Sequence, residues 1–265
     1  MTTATHYETL QLSESGGIAT LALNRPEKRN AMNPRLMDEL LHALDEIEAG
    51  PCGVMVLTGS GHAFCSGMDI DHLKTLVARS PKDHMLDSRQ IARLMRRIYD
   101  FPKPTIAAVN GAAIAGGAGL VSVCDMAWAV PEAKFGYTEV RIGFIPAVVS
   151  AFLVAQLGDR MAREILLTGR IFKADEALKL GLINGIVDAA ELMPHVAKTA
   201  QAILANSPGS VRGTKKLLSY FSAARLDHAL EQAVEANAGI RSQPDFLEGV
   251  SSFLENRAPD WPSRK

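Results

Sequence analysis

What this sequence has little of narrows its function before any motif is read. Charge excess is missing: 28 Lys and Arg stand against 29 Asp and Glu, a net charge of −1 over 265 residues. No global field therefore recruits nucleic acid or an acidic membrane, and an anionic ligand has to be met locally. Cysteine is scarce, with only Cys52, Cys65 and Cys124 and no CxxC spacing. That indicates neither a disulfide framework nor a thiolate-bound zinc. The seven histidines are scattered without an HExxH pattern, so no metal is expected. The N-terminal MTTATHYETL has no basic region ahead of an apolar core. No signal peptide is read there, and a reducing cytoplasm is the expected location.

Familiar catalytic loops are missing as well. GGAGLV at 116–121 lacks the last glycine of GxGxxG, because Ser122 stands in its place, and no GxxxxGK[ST] occurs. Ser66 lies in FCSGMD rather than GxSxG, and no Ser/His/Asp arrangement is legible, which speaks against a hydrolase or peptidase. The apolar run at 105–124 is nearly long enough to span a bilayer, but Asn110-Gly111 cuts it. It reads as a buried strand, a turn and a core helix.

What is present is an alternation of strands and helices. IATLAL at 18–23 alternates like a half-buried strand, and GVMVLTG at 53–59 is a strand buried on both faces. Between them, Asn33-Pro34 reads as an N-cap with proline at the first helical position. Leu36, Leu40, Leu44 and Ile47 share one face of that helix, and Gly50-Pro51 ends it. Residues 71–83 look polar and patternless and are expected to form a mobile loop, followed by a helix over 84–99. Further strand and helix signals run to about residue 190, which argues an α/β fold with mainly parallel pairing. SPGSVRGTKKLLSYF, LDHALEQAVEANAGI and PDFLEGVSSFLENR then read as three terminal helices without strands.

The stretch NGAAIAGGAGLVSVCD, from Asn110 to Asp125, offers almost no side chain for chemistry. Gly116-Gly117 at a helix start leaves backbone N–H groups open to a polarised oxygen. Close packing of this helix on a sheet explains the same small residues equally well. FCSGMDI places another glycine, Gly67, in a loop after a buried strand, where the Met68 N–H can stay open. Two such sites can hold one oxygen between them, an oxyanion hole made without polar side chains.

In chain order, LNRPEKRNAMN, AFCSGMDI, KPTIAAVNGAAIAGGAGL, FGYTEVRIGFIP and LTGRIFKADEALKLGLINGIVD together resemble the enoyl-CoA hydratase/isomerase (crotonase) superfamily. The resemblance covers essentially the whole chain. It implies a crotonase-like α/β spiral of ββα repeats over residues 1–200, with a C-terminal helical oligomerisation segment at 201–265. It also implies an acyl-CoA thioester as substrate, no separate cofactor, and a homotrimer or dimer of trimers. Leu217, Leu218, Phe221, Leu230 and Val234 are candidates for the subunit-facing surface. By motif position, the Met68 and Gly116 N–H groups map onto the donors to the thioester oxygen. Arg25, Lys28 and Arg29, with Ala31 nearby, map onto the CoA phosphate and pantetheine region. Ser66, Asp69, Ile70 and Asp71 border that path, although Asp69 reads equally well as a structural cap.

Glu139 of the FGYTE segment matches one of the family's two catalytic glutamates. The other position is Gly119, which carries no carboxylate. Hydration of a 2-enoyl-CoA is the leading expectation. A Δ3-Δ2-enoyl-CoA isomerase using Glu139 alone is the alternative, followed by a hydratase for a branched substrate such as methylglutaconyl-CoA. A catalytically weak acyl-CoA-binding scaffold is the non-enzymatic reading, against which Glu139 argues. Proton exchange near neutrality needs a raised carboxyl pKa, and Phe135, Tyr137, Phe144, Ile145 and Val148 are candidates for the apolar walls.

Overall fold

The computed structural model describes residues 6–264. The leader reading rests partly on residues 1–5, which lie outside that span. The chain opens with an antiparallel hairpin, β1 (Leu10–Ser15) and β2 (Ile18–Leu23). A 3-10 turn at Pro26–Lys28 follows, then α1 (Pro34–Ala49), capped by the Asn33 side chain accepting from the Leu36 N–H. The expected apolar face is the one buried: Leu36, Leu40, Leu44 and Ile47 are all at 0% exposure.

From there the chain repeats one manoeuvre. A strand joins the main sheet, a short strand joins a second sheet, and a helix leads back. The first turn comprises β3 (Val54–Gly59), β4 (Ala63–Cys65), α2 (Ile70–Val77) and α3 (Pro81–Tyr99). The second comprises β5 (Thr105–Val109), β6 (Ala112–Ile114) and α4 (Gly116–Ser122). The third comprises β7 (Met126–Ala129), β8 (Lys134–Gly136), a 3-10 helix at Glu139–Ile142, and α5 (Ala147–Thr168), which kinks at Gly158. β9 (Ile171–Lys173), α6 (Ala174–Leu180) and β10 (Gly185–Ile186) complete the spiral. The main sheet is six-stranded, β1-β2-β3-β5-β7-β10, and the second is four-stranded, β4-β6-β8-β9. Pairing along the main sheet from β2 to β10 is parallel. The expected ββα spiral is therefore present, and its stacked turns bring the ends of β4, β6 and β8 side by side.

Three helices close the fold: α7 (Leu192–Leu204), α8 (Pro208–Ile240) and α9 (Pro244–Leu254). The expected division at 200/201 falls inside α7. Two of the expected terminal helices are one, because the intervening SAAR segment contains only helix-compatible residues. Leu230 and Val234 do not face outward but join the main core, where α8 packs on α3, whereas Leu217, Leu218 and Phe221 are exposed.

The segment 71–83 is not a loop. Asp69 caps α2 by accepting from the Asp71 N–H, and Ser80 and Asp83 form a reciprocal capping box at the start of α3. His72, Leu73 and Leu76 form the buried face of α2, and only the two leucines are apolar, too few for a visible period. Among the described residues, no helix is long and apolar enough to cross a membrane.

Candidate active site

The loop after β4 is shaped by Gly67, whose φ of 92° a side chain would strain. Met68 beyond it forms a parallel bridge with Met32. In that bridge the Met32 N–H donates to the Gly67 carbonyl and the Asp69 N–H to the Met32 carbonyl, both at 2.7 Å. Strand geometry then turns the Met68 N–H the other way, and it has no acceptor among the described residues. Arg25 fixes this loop from one side. It pairs with Asp69 at 2.7 Å and donates to the Ala31 carbonyl at 2.5 Å. Arg25 is thus spent on structure and does not line the cleft, which corrects its expected role toward CoA phosphates. Of the two readings of Asp69, the cap is the one its contacts support.

The second loop enters α4. Ala115 has φ 51° and ψ −122°, a rare conformation for a residue with a side chain, and it re-aims the chain so that the Gly116 N–H starts the helix unpaired. The two loops touch: a Cβ on Gly67 would lie 3.0 Å from the Ile114 carbonyl oxygen and 3.7 Å from the Gly116 nitrogen. A Cβ on Gly117 would stand 2.1 Å from the Cys65 carbonyl oxygen. The small-residue run is therefore required first by packing on β4, and the open N–H is made possible by that close approach.

Glu139 begins the 3-10 helix after β8. Its Oε2 is buried without a hydrogen-bond partner, and burial raises the carboxyl to about 7. Phe144, Ile145 and Val148 line the cleft with it, as expected. Phe135 and Tyr137 do not. Phe135 stacks on Phe172, and the Tyr137 hydroxyl shares a 2.6 Å hydrogen bond with Ser122. Gly119 does not line the cleft either, because Val149 does so in its place. A Cβ on Gly119 would fall 2.4 Å from Val149 Cγ1, so no glutamate fits there without repacking.

Glu139, Met68 and Gly116 open onto one cleft of ≈ 870 Å³. Lys28, Ala31, Ser66, Ile70 and Asp71 line it as expected, and Asp69 contributes as well. At the mouth, the Lys28 ammonium is engaged by Asp71 at 2.9 Å, whereas Arg29 makes no ion pair among the described residues. Cys65 is buried and its thiol is pushed up to about 12, as a small core residue. No cluster of His, Cys, Asp and Glu among the described residues could hold a metal.

Sequence reasoning missed much of one end of the cleft. Leu73 and Leu76 of α2, Ile91 and Met95 of α3, Asn237 of α8 and Arg241, which ends that helix, all line it. Arg241 pairs with Asp87 at 2.7 Å, and Asp87 also meets His72 Nε2 at 2.8 Å. Burial opposes the Asp87 carboxylate, but the His72 hydrogen bond and the Arg241 charge outweigh it and hold the carboxyl below its usual range. Burial lowers the Arg241 guanidinium against the pull of Asp87. Separations of 15 and 154 positions hide this cluster from any local pattern, since His72, Asp87 and Arg241 meet only after α2, α3 and α8 pack.

Two unpaired backbone donors thus open onto the same cleft as a carboxyl that burial raises to about 7, an arrangement chemically able to hold an oxygen beside a proton-exchanging group. The chain belongs to the enoyl-CoA hydratase/isomerase family, which it matches over residues 13–264. It is 42% identical over 248 residues to a Thermus thermophilus protein named provisionally as an enoyl-CoA hydratase, covering 93% of this chain and 98% of that one. It is 33% identical to the crotonyl-CoA hydratase of Syntrophomonas wolfei, covering 97% of this chain and 99% of the relative. An enoyl-CoA hydratase/isomerase structure from Xanthobacter autotrophicus Py2 superposes with a TM-score of 0.89 at 30% identity, covering 95% and 94% of the two chains.

Proposed function

We propose that the protein is an enoyl-CoA hydratase, adding water reversibly across the double bond of a 2-enoyl-CoA. The observation that carries this is the buried Glu139, raised to about 7 and with no partner on its Oε2, in one cleft with the open Met68 and Gly116 N–H groups. In this mechanism the thioester oxygen accepts from both N–H groups. Ionised Glu139 takes a proton from water as its oxygen bonds to C3, and the C2=C3 electrons move toward the thioester oxygen. The resulting enolate then takes the same proton at C2 from Glu139, so water is added in full. Each backbone donor is worth about 10²–10³ in rate, and the positioned acid–base group about 10²–10⁴.

CoA arrives as part of the substrate, and Arg29, which lines the cleft and makes no ion pair among the described residues, is a cation open to its phosphates. Three free, buried cysteines fit a cytoplasmic setting. Exposed Leu217, Leu218 and Phe221 on α8 support a trimer or a dimer of trimers, which light scattering tests. The decisive assay follows loss of conjugated-enoyl absorbance with crotonyl-CoA, for the native protein and Glu139→Gln. No loss with either protein would reject the proposal. One observation favours a second reading: Val149 closes the place of a second carboxylate, and one carboxylate suffices to move a proton between carbons in a Δ3-Δ2 isomerisation. Gain of absorbance with a 3-enoyl-CoA, and none lost with crotonyl-CoA, would select it.

A further inference from the structure

The acyl end of the cleft is apolar along Leu73, Leu76, Ile91, Met95 and Phe144, until Asn237 and Arg241 interrupt it. The two side chains bond to each other, yet each keeps a donor that this contact does not use. Asn237 Oδ1 accepts from Arg241 Nη2 at 2.9 Å and from Ser88 Oγ at 2.7 Å, which uses both of its lone pairs and fixes the amide's orientation. Its Nδ2 is thereby turned away from both, and it donates to no acceptor among the described residues. Arg241 lies with its guanidinium 5.4 Å from the Phe144 ring centroid, and its Nε–H has no acceptor either. Asn237 is 4% exposed and Arg241 1%, and the Arg241 Nε–H is buried, so bulk water does not answer for that donor.

A wall that offers donors and no acceptor asks for a ligand oxygen. Charge decides which kind. Arg241 is already balanced by Asp87, itself held by His72, so a carboxylate would bring a second anion into a buried site. We propose that Asn237 and Arg241 form a subsite for an uncharged oxygen, a hydroxyl or carbonyl, at the far end of the acyl chain. This rests on the reading of the cleft as an acyl-CoA site, and it makes the preferred substrate a polar-ended acyl-CoA instead of a plain fatty one. A site built to hydrogen-bond such an oxygen rejects the analogue that lacks it, because its own donors are then left unpaired.

The test is calorimetric binding of saturated acyl-CoAs, which cannot be hydrated, over a range of chain lengths. Each length is compared with a methyl, a hydroxyl and a carboxylate end. At one length the hydroxyl-ended thioester is expected to bind at least about 10-fold tighter than its methyl-ended match. Arg241→Met combined with Asp87→Asn removes both buried charges together and is expected to abolish that preference. Asn237→Leu, which leaves the ion pair in place, is expected to weaken it and guards against misfolding of the double variant. A ratio near one at every length overturns the proposal, and tighter binding of the carboxylate end overturns its choice of an uncharged oxygen. Glu139-dependent hydration with no end preference refutes this inference and leaves the hydratase reading standing. A retained preference with no turnover of any 2-enoyl-CoA does the reverse, and no binding by any acyl-CoA removes both.

Discussion

Glu139→Gln should stabilise the protein while abolishing its activity, and the stabilisation should depend on pH in a fixed direction. The Glu139 carboxyl sits at about 7 in the folded chain, against an ordinary 4.5. The folded state therefore holds a proton that the unfolded chain releases earlier, and native stability falls as pH rises from 4.5 toward 7. Above that range the loss is complete and constant. At 1.36 kcal/mol per pH unit, ionising this buried group costs roughly 3 kcal/mol. Glutamine occupies the same volume and never ionises. The stability gap between variant and native protein should be small at pH 5 and reach roughly 3 kcal/mol at pH 8. Urea unfolding at both pH values, at one protein concentration, measures it. A gap that is equal at the two pH values would refute burial as the source of the raised pKa. The same ionisation predicts kcat/KM climbing through pH 7 and levelling above it, since the base must be ionised in the free enzyme.

Other parts of the site give separate expectations. Gly119→Glu should destabilise by about 1–3 kcal/mol, because its Cβ meets Val149, and adding Val149→Ala should restore folding as read by thermal melts. Arg25→Met should lower kcat more than it raises KM, since Arg25 holds the Met68 loop and lies off the cleft. Leaving Asp69 buried without its partner should also cost about 3 kcal/mol in urea unfolding. Arg29→Ala should raise KM for an acyl-CoA with kcat unchanged, and Lys28→Ala should raise it less, because Asp71 already engages Lys28. A steady-state comparison in low and moderate salt separates those two.

The parts of this structure that the sequence disclosed are those whose cause is local. The Asn33-Pro34 cap, the α1 stripe and the doubly buried β3 each follow from neighbouring residues, and all are in place. Glu139, Met68 and Gly116 are each carried by a short motif, and the structure brings them to one cleft. The errors have a common origin in distance along the chain. Arg25 looks like a free cation at a turn until Asp69, far along the sequence, is folded against it. Leu230 and Val234 look like an outer stripe until α3 covers them. In α2, two apolar residues suffice because α9 supplies the other half of the core, and no window over 71–83 contains Phe246 or Val250.

That last pairing bears on how the site is held. Met68 adjoins Asp69, the N-cap of α2, and Glu139 opens the 3-10 helix against which α9 packs. Leu73 and Leu76 of α2 meet Phe246 and Val250 of α9 in a small separate core, with Met68, Ile142 and Phe144 at its margin. Met68, the proposed donor, and Glu139, the proposed acid–base group, are thus tied to the same cluster, although they arise from different turns of the spiral. The C-terminal helix that forms it comes from the same chain, so α9 belongs to the site as well as to the helical layer. An enolate forms only if donor and base keep their spacing while the proton moves. The main sheets set where each loop ends, but this small core is what couples the two loops.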